Sequence, residues 1–144
     1  MRTGACLIAL VAVAVASPAL AGEPLCDALQ QVVAAVPSGF TPLRGDAAGD
    51  GTWKASIALP GATDCSVTAD SYACQVPVPA GDMMVMMDMR LVGVVGACFP
   101  EASHRMEIFD GGKVDHYAVP GADLGMGDIS PDHTVMTFRV KKSP

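Results

Sequence analysis

The chain has 144 residues, 9 basic side chains against 15 acidic ones, a net charge of −6 and 51% hydrophobic residues. An acidic chain without a basic cluster is a poor match for nucleic acid or an anionic membrane surface, which proteins bind through Lys and Arg. The length is typical of one domain with a modest hydrophobic core.

Residues 1–21 have the features of a secretory signal peptide. Arg2 precedes an apolar run at residues 6–16 that is too short to span a bilayer, and the segment ending at Ala21 gives a small-x-small cleavage pattern. We therefore predict cleavage after Ala21 and a single domain over residues 22–144. Losing Arg2 lowers the basic count from 9 to 8, so the mature net charge is −7. The expected location is the periplasm or the extracellular medium, in a bacterium.

The cysteines support this expectation of export. Cys6 leaves with the signal peptide, and four remain: Cys26, Cys65, Cys74 and Cys98. An even number in a small exported domain predicts two disulfides with three possible connectivities. No C-x-x-C pair is present, so the spacing does not favour zinc.

Residues 24–36 predict the first helix. Pro24 suits a first turn, and Pro37 follows the last periodic position. The apolar residues that fall on one stripe at helical spacing are Leu25, Cys26, Leu29, Val32, Val33 and Val36. Cys26 therefore faces inward.

The next stretch is strand-like. Residues 40–44 form an edge strand at best because Pro42 interrupts them. Residues 45–51 (GDAAGDG) predict a flexible loop. The alternation over residues 53–59 then predicts a half-buried strand.

Residues 64–78 predict a hairpin whose register is set by its hydrophobic pattern. If Ala69-Asp70 is a two-residue turn, Cys65 lies opposite Cys74 and the apolar side chains share one face. The cysteines then occupy a non-hydrogen-bonded pair, with Cα atoms about 4.5 Å apart, at the short end of disulfide reach. Ala-Asp is not a preferred turn pair, so a longer loop is the alternative.

Five methionines fall within seven residues: Met83, Met84, Met86, Met87 and Met89. A helical wheel places one apolar sector on Met83, Met84, Met87, Leu91, Val94, Val95 and Cys98. We predict a core-facing second helix. With Cys65–Cys74 joined in the hairpin, its inward cysteine pairs with the first helix as Cys26–Cys98.

Two other interpretations of the methionines stay open. Thioethers bind Cu(I), so a periplasmic Cu(I)-binding protein using the segment from Met83 to Met89 is the alternative function. The helix's outer side is also apolar, which predicts a partner or homodimer surface at Val85, Met86, Met89 and Val92.

The last third is again strand-like. Residues 105–110 and 113–119 flank Gly111-Gly112, a strong hairpin signal. The predicted register pairs Met106 with Tyr117, Ile108 with Asp115 and Glu107 with His116. Residues 120–132 predict a glycine-rich loop, and residues 134–140 predict the last strand.

This element order predicts an α+β domain, with an antiparallel sheet of about five to six strands and two disulfide-linked helices on one face. The order resembles the secretion-chaperone-like α+β arrangement, and the placement of Cys26, Cys65, Cys74 and Cys98 resembles that of small exported bacterial proteins of unassigned function. Such chaperones act in the cytosol without disulfides, so their function does not carry over.

The catalytic motifs are missing from the sequence. It contains no G-x-S-x-G and no H-E-x-x-H, and no free cysteine remains once both disulfides form. We therefore predict no enzyme activity and no cofactor. The expected function is a binding or inhibitor-type protein that acts on another protein or a small ligand.

Overall fold

The computed structural model describes residues 23–78, 84–128 and 134–144. The helices in these ranges are α1 (Glu23–Ala34) and α2 (Met84–Cys98), and two 3-10 turns lie at Val36–Ser38 and Thr41–Leu43. The strands are β1 (Arg44–Gly49), β2 (Thr52–Ala55), β3 (Asp64–Val67), β4 (Ser71–Pro77), β5 (Ser103–Phe109), β6 (Gly112–Val119), β7 (Ala122–Asp128) and β8 (Val135–Lys142).

The eight strands form one antiparallel sheet in the order β1-β2-β3-β4-β8-β7-β6-β5. The prediction of five to six strands was wrong because two glycine-rich stretches that predicted loops are β1 and β7. In β7 the buried side chains of Ala122, Leu124 and Met126 do alternate, but the glycines between them hide the pattern. All of β1 after Arg44 is exposed, so it carries no apolar pattern to detect.

The element order repeats. A helix followed by four strands occurs twice, first as α1 with β1 to β4 and then as α2 with β5 to β8. The two units meet where β4 pairs with β8 in the middle of the sheet. The sequence shows no matching repeat, so the duplication is one of topology.

One core lies between the sheet and the two helices. Leu29 and Val32 of α1 and Val95 of α2 are fully buried there. The sheet supplies the alternate residues that face the helices, including Tyr72, Leu124, Met126, Met136, Phe138 and Val140. The other face of the sheet has no helix on it in the described part of the chain. No helix in the described ranges is long and apolar enough to cross a membrane.

Both predicted disulfides are present. Cys26–Cys98 joins α1 to α2 with Cα atoms 5.2 Å apart, and Cys65–Cys74 joins β3 to β4 with Cα atoms 4.1 Å apart. The β3–β4 register is also the predicted one, since Cys65 lies opposite Cys74. One crosslink ties the helices together and the other ties neighbouring strands.

The predicted register of the β5–β6 hairpin was wrong by two residues. The turn is Asp110-Gly111, with Gly111 at φ 97°, where glycine is favoured. Met106 therefore lies opposite Asp115. A slip of two residues leaves every side chain on its predicted face, because the side-chain period of a strand is two.

Candidate functional site

The face of the sheet opposite the two helices, the open face, carries a trough across β5, β6, β7 and β8. Its volume is about 220 Å³. The trough exists because two positions of β7 on this face are glycines, Gly125 and Gly127, between side chains of the neighbouring strands. Adjacent strands lie about 4.8 Å apart, so the backbones of β6 and β8 stand roughly 10 Å apart across this glycine floor.

The two floor glycines differ in what surrounds them. A Cβ added at Gly127 would collide with the carbonyl oxygen of Lys113 and the side chain of Val114, so the backbone packing there requires glycine. A Cβ at Gly125 would meet Val114 Cγ1 at 3.5 Å, an ordinary contact. Gly127 is therefore needed for strand packing, whereas Gly125 leaves space on the floor that packing does not require.

His116 forms one wall of the trough, with a carboxylate at each ring nitrogen. Its Nδ1 lies 3.0 Å from Oδ2 of Asp123, and its Nε2 lies 3.4 Å from Oε2 of Glu107. His116 and Asp123 are both part-buried. Among the described contacts, the hydrogen bond to Asp123 engages Nδ1, whereas Nε2 has only the longer contact with the exposed Glu107.

Two cations line the opposite side of the trough. Arg139 and Lys141 project from β8 on the open face, opposite Gly125 and Asp123 respectively. Both are exposed, and neither forms an ion pair with a described residue. Of the two carboxylates of the trough, Asp123 is hydrogen-bonded to His116, and Glu107 pairs with Arg105 and His116. The trough therefore offers its cations to a ligand.

A separate charge cluster lies on the helix face, beneath α2. Asp88 of α2 and Asp115 of β6 are each only 2% exposed. Lys113 forms ion pairs with both, and its Nζ lies 3.0 Å from Oδ2 of Asp115. Oδ1 of Asp88 is buried without a hydrogen-bond partner among the described residues.

The cluster shifts the pKa values of its members. Burial alone would raise the pKa of Asp115, but hydrogen bonds from Lys113 and from Nε2 of His104, the latter at 2.8 Å, outweigh burial and lower the pKa. Burial alone would lower the pKa of Lys113, but its bonds to the two carboxylates raise it. Burial and the same carboxylates raise the pKa of Tyr117, whose hydroxyl donates to the Val92 carbonyl at 3.1 Å.

The predicted partner surface on α2 is divided. Met89 is 66% exposed, as predicted, but Val92 packs partly buried against the core. The side chains of Val85 and Met86 lie outside the described part of the structure, so the surface as a whole stays a prediction.

The predicted copper segment is also covered only in part. Met83 lies outside the described residues, and so do the side chains of Met84 and Met86. Met87 packs against the core, whereas Met89 is exposed, so these two thioethers lie in different environments. The copper(I) site stays a prediction.

Sequence reasoning missed both the trough and the buried charge cluster, although each has a signal in the sequence. The trough lies in a stretch that predicted a loop, yet Asp123, Gly125 and Gly127 alternate with apolar residues there. Asp88 precedes Leu91 and Val95 by three and seven residues, the spacing of one helical face. An acidic residue on an apolar stripe indicates a buried carboxylate with a partner.

Comparisons with protein-family models, with curated proteins and with solved structures found no match. The resemblance to secretion-chaperone-like and small exported proteins therefore stays a prediction.

Proposed function

We propose that this chain is an exported binding protein that holds a small anionic ligand in the trough on the open face of its sheet. The observation that supports the proposal is that a glycine floor lies beside two cations at the rim of the trough, Arg139 and Lys141. Neither cation forms an ion pair with a described carboxylate. Arg139 offers a planar guanidinium suited to carboxylate or phosphate.

The size of the trough limits the ligand. Drug-sized molecules occupy pockets of roughly 300–1,000 Å³, so a trough of about 220 Å³ fits a smaller molecule. Its floor is bare backbone, and Val114 adds an apolar wall. A flat apolar body that carries one carboxylate or phosphate matches both the floor and the rim.

His116 also positions one carboxylate of the trough. Its Nδ1 lies 3.0 Å from Oδ2 of Asp123, which ties that carboxylate to β6. The Glu107 carboxylate is exposed, and its Oε2 lies 3.4 Å from both Nε2 of His116 and Nη1 of Arg105. In this proposal Arg139 and Lys141, and not the carboxylates, meet the ligand's charge.

Export to the periplasm or the extracellular medium is part of the proposal. Two disulfides in a chain of this size are typical of an oxidising compartment, and the leader at residues 1–21 has the pattern of a signal peptide. Cell fractionation followed by N-terminal sequencing tests this point, with a mature start at Gly22 as the expected result.

The trough is tested by nuclear magnetic resonance titration of the purified protein with benzoate, a flat apolar anion. The amide signals of Gly125 and Gly127 should shift, while those of Gly93 and Gly96 on α2 should not. Benzamide, which has the same shape without the charge, should bind about ten-fold more weakly or worse, because it lacks the charge-assisted bond to Arg139.

Two variants make the test specific. Gly125→Val fills the floor of the trough and should abolish the benzoate shifts while the protein stays folded, since β-branched residues suit strands. Arg139→Gln should weaken benzoate at least ten-fold and leave benzamide unchanged. Unchanged benzoate affinity in Gly125→Val, or equal affinity for the two probes, would refute the proposal.

A further inference from the structure

The two edges of the sheet are built differently. At one edge, β1 has two register shifts against β2 and begins and ends around glycines. At the other edge, β5 keeps one unbroken register with β6 over all seven of its residues. Bulges and irregular edges prevent strands from pairing with other molecules. β1 has this protection, and β5 does not.

β5 is also an apolar strand that is open to solvent. Every residue of β5 is exposed, including Met106 (54%), Ile108 (73%) and Phe109 (42%). Within the described ranges, β5 pairs only with β6. A long, regular edge strand with exposed large apolar side chains is expected to pair with another strand.

The sequence of β5 is complementary to itself. In an antiparallel pair of two copies related by a two-fold axis, only one register matches all seven residues, and that register places Met106 opposite Met106 of the second copy. Within each chain Arg105 Nη1 already lies 3.4 Å from Glu107 Oε2. In the dimer Arg105 of each copy also lies opposite Glu107 of the other, which adds two cross-strand pairs of opposite charge. Registers centred on Arg105 or Glu107 shorten the pairing and bring like charges together, which is unfavourable.

The self-complementary register also brings the two Met106 side chains together on the helix face. It places Ile108 of each copy beside His104 of the other on the helix face, next to the central methionines. Strand pairing would satisfy the outer backbone groups of β5 and remove these side chains from water. Arg105 and Glu107 lie on the opposite face, beside the trough.

We infer that two copies of this chain associate through antiparallel pairing of β5, with Met106 on the two-fold axis, to form a dimer with a continuous sheet. Both open faces lie on the same side of that sheet, so the dimer presents two troughs in parallel. The inference does not depend on the proposed ligand, because strand pairing uses the backbone edge of β5, although Glu107 also lines the trough.

Charge reversal tests the register by sedimentation of the purified protein from low micromolar to submillimolar concentration. Arg105→Glu and Glu107→Arg each replace two attractive pairs with two repulsive ones and should weaken the dimer on the order of 30-fold. An equimolar mixture of these two variants restores both attractive pairs and should form a heterodimer. The double variant with both substitutions in one chain should dimerise like the unaltered protein.

A matched pair of variants distinguishes association through β5 from association through the surface of α2. Met106→Lys places two cations on the proposed axis and should give monomers, whereas Met89→Glu should leave the dimer intact. A monomer at every concentration, or failure of the mixture to associate, would overturn the inference. Dissociation by Met89→Glu but not by Met106→Lys would overturn it in favour of the helix surface. Far-ultraviolet circular dichroism confirms that each variant is folded.

Discussion

Removing Lys113 is the sharpest test of the buried cluster under α2. Its ammonium lies between two carboxylates whose side chains are each only 3% exposed. In Lys113→Met the apolar stem is kept and the charge is lost, so Asp88 and Asp115 remain buried without a cation. Leaving a buried charge without its partner costs about 3–5 kcal/mol.

The lower end of that range applies here. The Lys113 side chain is 31% exposed, so water reaches part of the site, and His104 still donates to Asp115. We expect Lys113→Met to lower the free energy of unfolding by about 3 kcal/mol, or the melting temperature by ~12 °C. Lys54→Met, at an exposed position of β2, is the matched control and should cost less than about 0.5 kcal/mol.

The pH dependence gives a second measurement on the same variants. In the unaltered protein the pKa of Asp115 lies below its ordinary value, so the stability it contributes is present above about pH 4 and is lost as the pH falls through the lowered pKa. In Lys113→Met, burial without the ammonium favours the protonated form of Asp115, so the variant gains stability relative to the unaltered protein as the pH falls. The difference in free energy of unfolding between the unaltered protein and Lys113→Met should therefore be smaller at about pH 4 than at about pH 7.

Urea titrations at both pH values, with Asp88→Asn and the double variant completing a mutant cycle, measure these effects. Asp88→Asn in the Lys113→Met background should recover about 1–2 kcal/mol, because it removes one of the stranded charges. Two results together would show that Lys113 does not stabilise the buried carboxylates. The effects of the two substitutions would be additive, and the difference in free energy of unfolding between the unaltered protein and Lys113→Met would stay constant with pH.

Two further predictions concern the scaffold. Gly93→Ala on the exposed side of α2, where an added Cβ meets open space, should raise the free energy of unfolding by about 0.5–1 kcal/mol in thermal melts, and a lower melting temperature would contradict it. Replacing Cys26 and Cys98 by alanine opens a link with a sequence separation of 72 and should cost about 4.4 kcal/mol, against about 2.6 kcal/mol for Cys65 and Cys74 with a separation of 9. Equal losses in guanidinium titrations would contradict the loop-entropy explanation.

The parts of the fold that could be predicted are those with strong local periodicity. The apolar stripes of α1 and α2 placed Cys26 and Cys98 inward, and the alternation in the β3–β4 hairpin gave its register. Each depends on contacts within one element or between chain neighbours. Local patterns of this kind are the most reliable signal that a sequence carries.

The parts that could not be predicted depend on glycine and on distant partners. Glycine has no side chain to show which face it occupies, so Gly125 and Gly127 predicted a loop although both lie in β7 and strand packing requires glycine at Gly127. The turn of the β5–β6 hairpin was predicted at Gly111-Gly112 because of the glycine pair after Asp110, but it lies at Asp110-Gly111. The partner of Asp88 lies 25 positions away on β6, and no local pattern connects them.

Every ion pair among the described residues lies in the second helix-and-strands unit, within or between α2, β5, β6 and β7. β6 links them, because Lys113 and Asp115 enter the buried cluster while Val114 and His116 form the trough wall on its other face. The carbonyl of Lys113 also packs against Gly127 on the trough floor. Losing the Lys113 ion pairs should therefore alter the trough as well as the stability of the domain. The first unit, which is crosslinked by Cys65–Cys74, pairs with β8 through β4 and so holds Arg139 and Lys141 in place.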